Sequence, residues 1–315
     1  MIPGRTPAHP DAQLMEKAQA VKGRSLLADA RRRLFRNKAA VASMVLLALI
    51  ALMAVFVPVV SPYAFDAQDY SKISCAPSWW TADVPTCPGG AGGTHWFGTD
   101  PIGRDLFVRS FYGARISLAV GIVATLVSLA IGVLYGAASG FIGGRTDAFM
   151  MRIVDVLYSL PFIFLVIILM VIFNQNFILL FVAIGAVSWL TMARIVRGQT
   201  LSAKQKEFVE AARAAGVGTF GIITRHIVPN VVGPVIVYVT LTIPGVILAE
   251  SFLSFLGLGI REPFTSWGVL ISEGAGEMET APWALIFPAA LMAITLFCFN
   301  FIGDGLRDAL DPKDR

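Results

Sequence analysis

Six long apolar segments constrain this chain more than any other feature. They lie at approximately 40–60, 115–140, 154–173, 177–195, 231–253 and 283–303. A helix of about 20 apolar residues crosses the hydrocarbon core of a bilayer, whereas a helix in a soluble core shows periodic polar positions. Because 56% of the residues are hydrophobic and only 15% are charged, we predict an all-α polytopic membrane protein with six transmembrane helices.

The basic residues indicate how these segments are oriented. If the N-terminus is cytoplasmic, twenty of the 25 Lys and Arg residues fall in the inner segments, which are 1–39, 141–153, 194–230 and 304–315. Cytoplasmic loops carry such an excess. We therefore expect both termini in the cytoplasm, an extracytoplasmic loop at 61–114 and a cytoplasmic loop at 194–230. The basic residues flank the apolar segments and form no stripe with aromatic residues, which argues against a nucleic-acid partner.

The region before the first apolar segment has two parts. Residues 1–24 are rich in Pro, Ala and Gln without apolar periodicity, so we predict a disordered cytoplasmic extension. Residues 25–38 combine one leucine-rich helical side with several arginines, which is typical of a basic amphipathic helix in the membrane interface. The same residues could act only as a signal that holds this end in the cytoplasm. The transmembrane domain then covers 39–315.

Small residues recur every four positions along the second apolar segment. They are Ala124, Ser128, Gly132, Gly136 and Gly140. In a membrane, small side chains allow helix backbones to approach closely. This stripe is predicted to be a helix-packing face, either within the chain or against a second subunit.

The polar loop between the fourth and fifth apolar segments is long for a simple turn. Its residues favour a helix from Ser202 to Ala215, a stop at Gly216, and a second short helix over 218–227 that Pro229 ends. The first helix carries four small side chains, those of Ala211, Ala212, Ala214 and Ala215. We interpret this helix–glycine–helix loop as a docking surface for another protein.

Sequence motifs for catalysis and metal binding are absent from the chain. No P-loop ending in Gly-Lys-Ser/Thr occurs, and no nucleophile elbow or zinc helix is present. The histidines are not spaced as a metal site. Cys75 and Cys87 share the loop 61–114, where they form either a disulfide or two free thiols.

Several blocks of the sequence carry a resemblance to a known family. They are Phe97–Asp105 with Gly113–Leu118, Glu210–Gly216 with Ile227–Pro229, Glu250–Gly259, and Asn300–Asp308. The block at 210–216 resembles the EAA loop of permease subunits from binding-protein-dependent ABC importers. The others resemble signatures of the dipeptide/oligopeptide/nickel branch, and the basic N-terminal stretch with the block at 97–105 favours the C-type subunit of its permease pair. Val228 departs from the Leu that is usual there.

The resemblance implies a six-helix fold of the type I ABC importer kind in the cytoplasmic (inner) membrane. It implies a heterodimer with a second homologous permease, two cytoplasmic ABC ATPase subunits and an extracytoplasmic solute-binding protein. ATP and Mg would be bound by the ATPase subunits, so this chain would hold no cofactor and would not be an enzyme. Its implied activity is translocation of di- and oligopeptides across the membrane.

The same resemblance assigns roles to residues of the polar loop and of the block before the second segment. The ATPase-docking residues would be Glu210, Ala211, Ala212, Arg213, Ala214, Ala215 and Gly216. The alanines would make the buried contact, and Glu210 and Gly216 would set the helix and its end. The extracytoplasmic signature would be Asp100, Gly103, Arg104 and Asp105. Its residues could steady an outer gate, meet the binding protein, or form a local turn with Asp–Arg pairing that anchors the second helix.

The sequence leaves three alternatives to a peptide permease. The same architecture could carry nickel chelates or another small solute. An ion-coupled transporter or channel acting alone would predict charges at mid-span and an inverted repeat. Asp155, Glu250 and Asp304 instead lie near segment ends. A membrane scaffold would give no reason for the helix–glycine–helix loop.

Overall fold

The structure is a computed structural model, and it describes residues 26–80, 94–172 and 177–310. The expected disorder of residues 1–24 and the pairing with Cys87 lie outside these residues. The helices are α1 (Leu26–Arg36), α2 (Lys38–Val60), α3 (Leu106–Ile142), α4 (Gly144–Ser159), α5 (Phe162–Ile172), α6 (Phe177–Ala203), α7 (Glu207–Ala214), α8 (Thr219–Ile222), a π-helical turn (Ile223–Ile227), α9 (Val228–Phe255), α10 (Trp267–Gly276) and α11 (Trp283–Leu310). The all-α class is confirmed.

Five helices are long and apolar enough to cross a membrane, and the count is six when one bent pair of helices is taken as a single crossing. The five are α2, α3, α6 from Phe181, the continuous helix Thr219–Phe255, and α11. The sixth crossing joins α4 to α5, whose axes are bent by 88°. Six crossings agree with the count of apolar segments.

The third crossing differs from the straight helix expected over 154–173. The break falls at Leu160, whose backbone is extended, with φ −76° and ψ 133°. Pro161 follows, and proline disfavours a helical conformation in the residue before it and supplies no N–H donor. The apolar run is therefore continuous in sequence, but the helix is not.

The second crossing begins earlier than the expected residue 115. Asp105 is the N-cap of α3, and its Oδ1 accepts a hydrogen bond of 2.8 Å from the Val108 N–H. The first turns of α3 therefore lie within the segment 61–114 that was expected to be a loop.

The small-residue stripe of α3 packs against α6 of the same chain. A Cβ added at Gly132 would lie 2.5 Å from Met192 Cγ, and one at Gly136 would overlap the carbonyl of Ala193. A Cβ at Gly140 would lie 2.9 Å from the carbonyl oxygen of Arg197. The absent side chains let the two backbones approach closely. Of the two arrangements open from the sequence, these glycines adopt the one within the chain.

The first described helix, α1, and the last turns of α11 lie at the same end of the bundle. A Cβ at Gly305 of α11 would be 2.6 Å from the Ala40 side chain of α2 and 3.2 Å from Leu34 of α1. Asn37 caps α2 by accepting from the N–H groups of Ala39 and Ala40. Helix α1 is therefore fixed against the last turns of α11.

Candidate functional site

The polar loop, residues 204–227, begins with a break that the sequence did not indicate. Helix α6 ends at Ala203, and α7 starts only at Glu207, where a continuous helix from Ser202 was expected. Glu207 and Glu210 lie in the first turn of α7, where acidic side chains interact favourably with the helix dipole. The separate start lets α7 run in a different direction from α6.

Gly216 ends α7 in a complete Schellman motif. Its φ is +78°, a left-handed conformation that glycine adopts without steric cost. The Gly216 N–H donates to the Arg213 carbonyl at 2.9 Å, and the Val217 N–H donates to the Ala212 carbonyl at 3.1 Å. These are the two bonds that define the motif. The predicted stop at Gly216 is confirmed.

One face of the polar loop is buried against the helices of its own chain. Val209, Ala212 and Ile222 are at most 7% exposed. They pack in one cluster with Phe141 of α3 and Val196 of α6. Ala212 therefore faces this chain's core, which differs from the expectation of a contact face made of four alanines. Its role is to hold α7 in place.

The other face of the loop is open. The exposed residues of the expected docking set are Glu210, Ala211, Arg213, Ala214, Ala215 and Gly216. The guanidinium of Arg213 lies 5.2 Å from the centre of the Phe141 ring, and Lys204 Nζ lies 5.6 Å from it. Phe220 is 77% exposed, and no pattern in the sequence indicated that its side chain would lie on the open face.

The second half of the loop is part of the fifth crossing. Pro229 was expected to end the short helix, but the chain runs as one helix from Thr219 to Phe255. A π-helical turn, Ile223–Ile227, precedes the proline, and the Val228 N–H donates to the Ile223 carbonyl. The wider turn accommodates a residue that has no N–H and whose ring would clash in a regular helix.

The four signature residues before α3 form a buried turn. Asp100 is 1% exposed, and its Oδ1 accepts from the backbone N–H groups of Ile102 and Arg104 at 3.1 and 2.9 Å. Its Oδ2 accepts from Arg104 Nε at 2.6 Å and from Arg109 Nη1. Gly103 has φ +78°, and a Cβ there would overlap the carbonyl of Asp69. The residues thus make a local turn with Asp–Arg pairing.

The turn is also tied to distant parts of the chain, which the sequence analysis did not anticipate. Arg104 Nη1 donates to Glu262 at 2.8 Å, and Arg109 Nη1 donates to Glu273 of α10 at 3.0 Å. Burial disfavours the charged form of Arg104, but its hydrogen bonds to Glu262 and Asp100 outweigh this and raise its pKa above the ordinary value. We call these five residues the ion cluster: Asp100, Arg104, Arg109, Glu262 and Glu273.

Asp105 has a second partner besides the helix it caps. Its Oδ2 lies 2.7 Å from Nδ1 of His95, and both side chains are buried. The His95 ring stacks on Tyr63, with centroids 4.4 Å apart. Asp105 therefore joins the start of α3 to the segment that follows α2. Cys75, which lies in the same segment (61–114) of the sequence, is also buried. Its pairing with Cys87 stays a prediction.

A buried carboxyl group links α9 to α3 and α10. Glu250 Oε1 accepts from Ser254 at 2.6 Å and from Ser266 at 2.7 Å, and Oε2 accepts from Ser117 at 3.4 Å. Ser266 is also the N-cap of α10. The hydroxyls satisfy a carboxyl group that the bundle encloses. Among the described residues, no group of three or more His, Cys, Asp or Glu side chains could hold a metal ion.

The fold and these sites define a multi-pass helical membrane protein with the polar loop packed at one end of α3 and the ion cluster at the other. A solved structure titled as inward-facing conformations of the MetNI methionine ABC transporter has a similar fold. Its TM-score is 0.52 at 18% identity, over 65% of this chain and 96% of that chain.

The sequence comparisons identify the family. Residues 128–315 match the model of the binding-protein-dependent transport system inner membrane component, and residues 25–77 match the N-terminal transmembrane domain of oligopeptide transport permease C. The chain belongs to the family of binding-protein-dependent transport system inner membrane components, and it is a multi-pass protein of the inner membrane.

Two curated relatives extend over nearly the whole chain. The oligopeptide transport system permease protein OppC of Haemophilus influenzae is 55% identical over 304 residues, which are 96% of this chain and 94% of that protein. The dipeptide transport system permease protein DppC of Bacillus subtilis is 47% identical over 302 residues, which are 95% of this chain and 90% of that protein. The resemblance noted from the sequence blocks is thus confirmed.

Proposed function

We propose that this chain is the C-type permease subunit of an ATP-driven importer that carries di- and oligopeptides across the cytoplasmic membrane. The names of its relatives supply the substrate class. The proposed orientation has both termini in the cytoplasm. It is supported by the excess of Lys and Arg in the inner segments and by the packing of α1 against the end of α11.

The proposed complex contains a second homologous permease, two cytoplasmic ABC ATPase subunits and an extracytoplasmic solute-binding protein. The ATPase subunits bind ATP and Mg, and this chain binds no cofactor. Helix α1 lies in the membrane interface, because Phe35 is exposed beside exposed arginines. The loop 61–114 faces the binding protein, and the polar loop faces the ATPase.

One observation carries the proposal: the polar loop is rigidly supported on one side and open on the other. Val209 and Ala212 pack against α3 and α6, while Ala211, Ala214 and Phe220 stay exposed. A flexible linker would need no such support. The exposed face of α7 with Phe220 therefore docks against the ATPase, and small side chains let the partner surface approach closely.

The proposed mechanism is a shift between two states of the permease. ATP can change the population of these states only if the ATPase contacts the polar loop differently in each of them. The helix Thr219–Phe255 carries that difference into the bundle, because it runs continuously from the polar loop. At the other end of α3, the ion cluster holds the starts of α3 and α10 together. Its buried Asp100 and Arg109 support an anchoring role rather than direct contact with the binding protein.

The test compares two exposed alanines on the proposed cytoplasmic side. Ala211→Trp adds bulk to the docking face, and Ala148→Trp adds the same bulk to an exposed position of α4. We expect Ala211→Trp to lose co-purifying ATPase and at least about ten-fold of ATP-dependent peptide import, because docking needs close approach. Ala148→Trp should retain both. Normal ATPase retention and import by Ala211→Trp would contradict the proposed docking face.

A further inference from the structure

A large cavity lies where the bent crossing meets α6 and α9. Its volume is about 720 Å³, within the range of about 300–1,000 Å³ typical of small-molecule sites. It is lined by the end of α4, the break at Leu160 and Pro161, and one side each of α6 and α9. Thr242 and Gly245, which lie midway along α9, line the same cavity as the break. The break therefore lies level with the middle part of α9.

A broken helix at that depth constrains what fills the cavity. Leu160 is extended, and Pro161 has no N–H, so the helical hydrogen-bond ladder is interrupted here. Irregular backbone at membrane depth occurs where it is buried in protein or lines a water-filled space. Discontinuous helices also build the substrate sites of other transporters.

The lining is rich in hydroxyl groups. They belong to Tyr158, Ser159, Ser188, Thr191, Tyr238 and Thr242. Ser159, Ser188 and Thr242 each donate to a carbonyl of their own helix, at 2.7 to 2.8 Å. Their oxygens keep lone pairs that can accept from an N–H group, and the phenols can donate to a carbonyl. Hydroxyls of both kinds match the alternating donors and acceptors of a peptide backbone.

Among the residues that the structure describes, none that lines the cavity has a charged side chain. A charged pair lies at one end of the cavity. Arg194 donates to Asp155 at 2.8 Å and lies 4.2 Å above the ring of Tyr158, which lines the cavity. An uncharged path suits peptides of any side-chain charge, because it strands no buried ion. The opposite side of α9 differs. It borders an apolar groove, and of the described residues that line this groove only Thr240 bears a hydroxyl.

We propose that this cavity is the part of the translocation path that this subunit contributes, and that its hydroxyls bind a peptide in transit through the backbone amides. The inference rests on the proposed peptide import. Three of the six hydroxyls already donate within the chain, so their oxygens remain as acceptors. A peptide backbone supplies N–H donors to these oxygens, whereas a lipid chain does not.

Two threonines of α9 provide a matched test. Thr242 faces the cavity and Thr240 faces the apolar groove, and each donates to a carbonyl one turn earlier. Thr242→Cys and Thr240→Cys are placed in the complete importer in proteoliposomes, with the parent chain, which has three cysteines, treated in parallel. A charged, membrane-impermeant methanethiosulfonate is added, and ATP-dependent import of a radiolabelled tripeptide is measured before and after treatment.

We expect treatment to lower import at least about ten-fold in Thr242→Cys, with recovery after reduction of the mixed disulfide. Treated Thr240→Cys should stay within about two-fold of the treated parent. Unchanged import by labelled Thr242→Cys overturns the inference, and so does a cysteine that is not labelled at all. If Thr242→Cys is labelled in the isolated chain but not in the complete importer, the second permease covers the cavity and the inference is overturned. Failure of the untreated parent to import the tripeptide would instead remove the proposed function itself.

Discussion

Replacement of Asp100 by Ala tests the ion cluster most directly. Four donors lose their acceptor: the N–H groups of Ile102 and Arg104, Arg104 Nε and Arg109 Nη1. Arg104 keeps Glu262, but Arg109 is 1% exposed and keeps only Glu273 among its described partners. Removing one member of a buried ion pair costs about 3–5 kcal/mol. The variant should be destabilised by this amount.

The assay is thermal unfolding of the purified chain in detergent. At about 2–4 °C per kcal/mol for a domain of 150–250 residues, Asp100→Ala should lower the midpoint by about 6 °C or more. Asp69→Ala is the control, because the Asp69 side chain is 45% exposed and pairs with Lys72, and solvent-exposed ion pairs contribute little.

A double-mutant cycle identifies the partner. If Asp100 and Arg109 form a buried pair, the destabilisation in Asp100→Ala/Arg109→Gln should be smaller than the sum of the two single effects by about 0.5–3 kcal/mol. Strict additivity, or a midpoint for Asp100→Ala within about 2 °C of the parent, would refute the buried pair as the anchor of α3.

Two glycine comparisons follow from the backbone. Gly136→Leu should abolish the monodisperse peak in size-exclusion chromatography, because its Cβ would overlap α6, whereas Gly198→Leu should not, since nothing lies within 4 Å of its Cβ. Gly216→Ala should destabilise the end of α7 by about 1–2 kcal/mol because its φ is positive, and it should lower peptide-stimulated ATPase activity. Gly218→Ala has equal space and an ordinary φ of −65°, so equal losses in both variants would contradict this reason.

Features that depend on neighbouring residues were predictable from the sequence. The crossings follow from apolar length, and the stop at Gly216 follows from the only residue that takes positive φ without cost. The stripe of glycines on α3 predicted that another helix approaches it closely, and that helix is α6. In each case the physical cause lies within a few turns of the residue itself.

Features that depend on distant residues were not predictable. Arg104 pairs with Glu262, 158 positions away, and no local pattern indicates that pair. The four alanines of the polar loop read alike in sequence, but only the packing against Phe141 separates Ala212 from Ala211. Proline is tolerated in the first turn of a helix, so Pro161 alone did not distinguish a helix start from an 88° bend.

The continuous helix from Thr219 to Phe255 connects the polar loop mechanically to the interior of the bundle. Its 37 residues correspond to about 55 Å at about 1.5 Å per residue. Phe220 is near one end, and Thr242 is a little beyond the middle. A sideways displacement of the end near Phe220 passes the π-helical turn and Pro234, where a helix can bend, before it reaches Thr242. Its size and direction at Thr242 therefore depend on where the helix is held most tightly. The segment around Ile247 and Glu250 is buried, and hydroxyls of Ser117 and Ser266 hold it to α3 and to the start of α10. The helix is therefore expected to pivot about this segment.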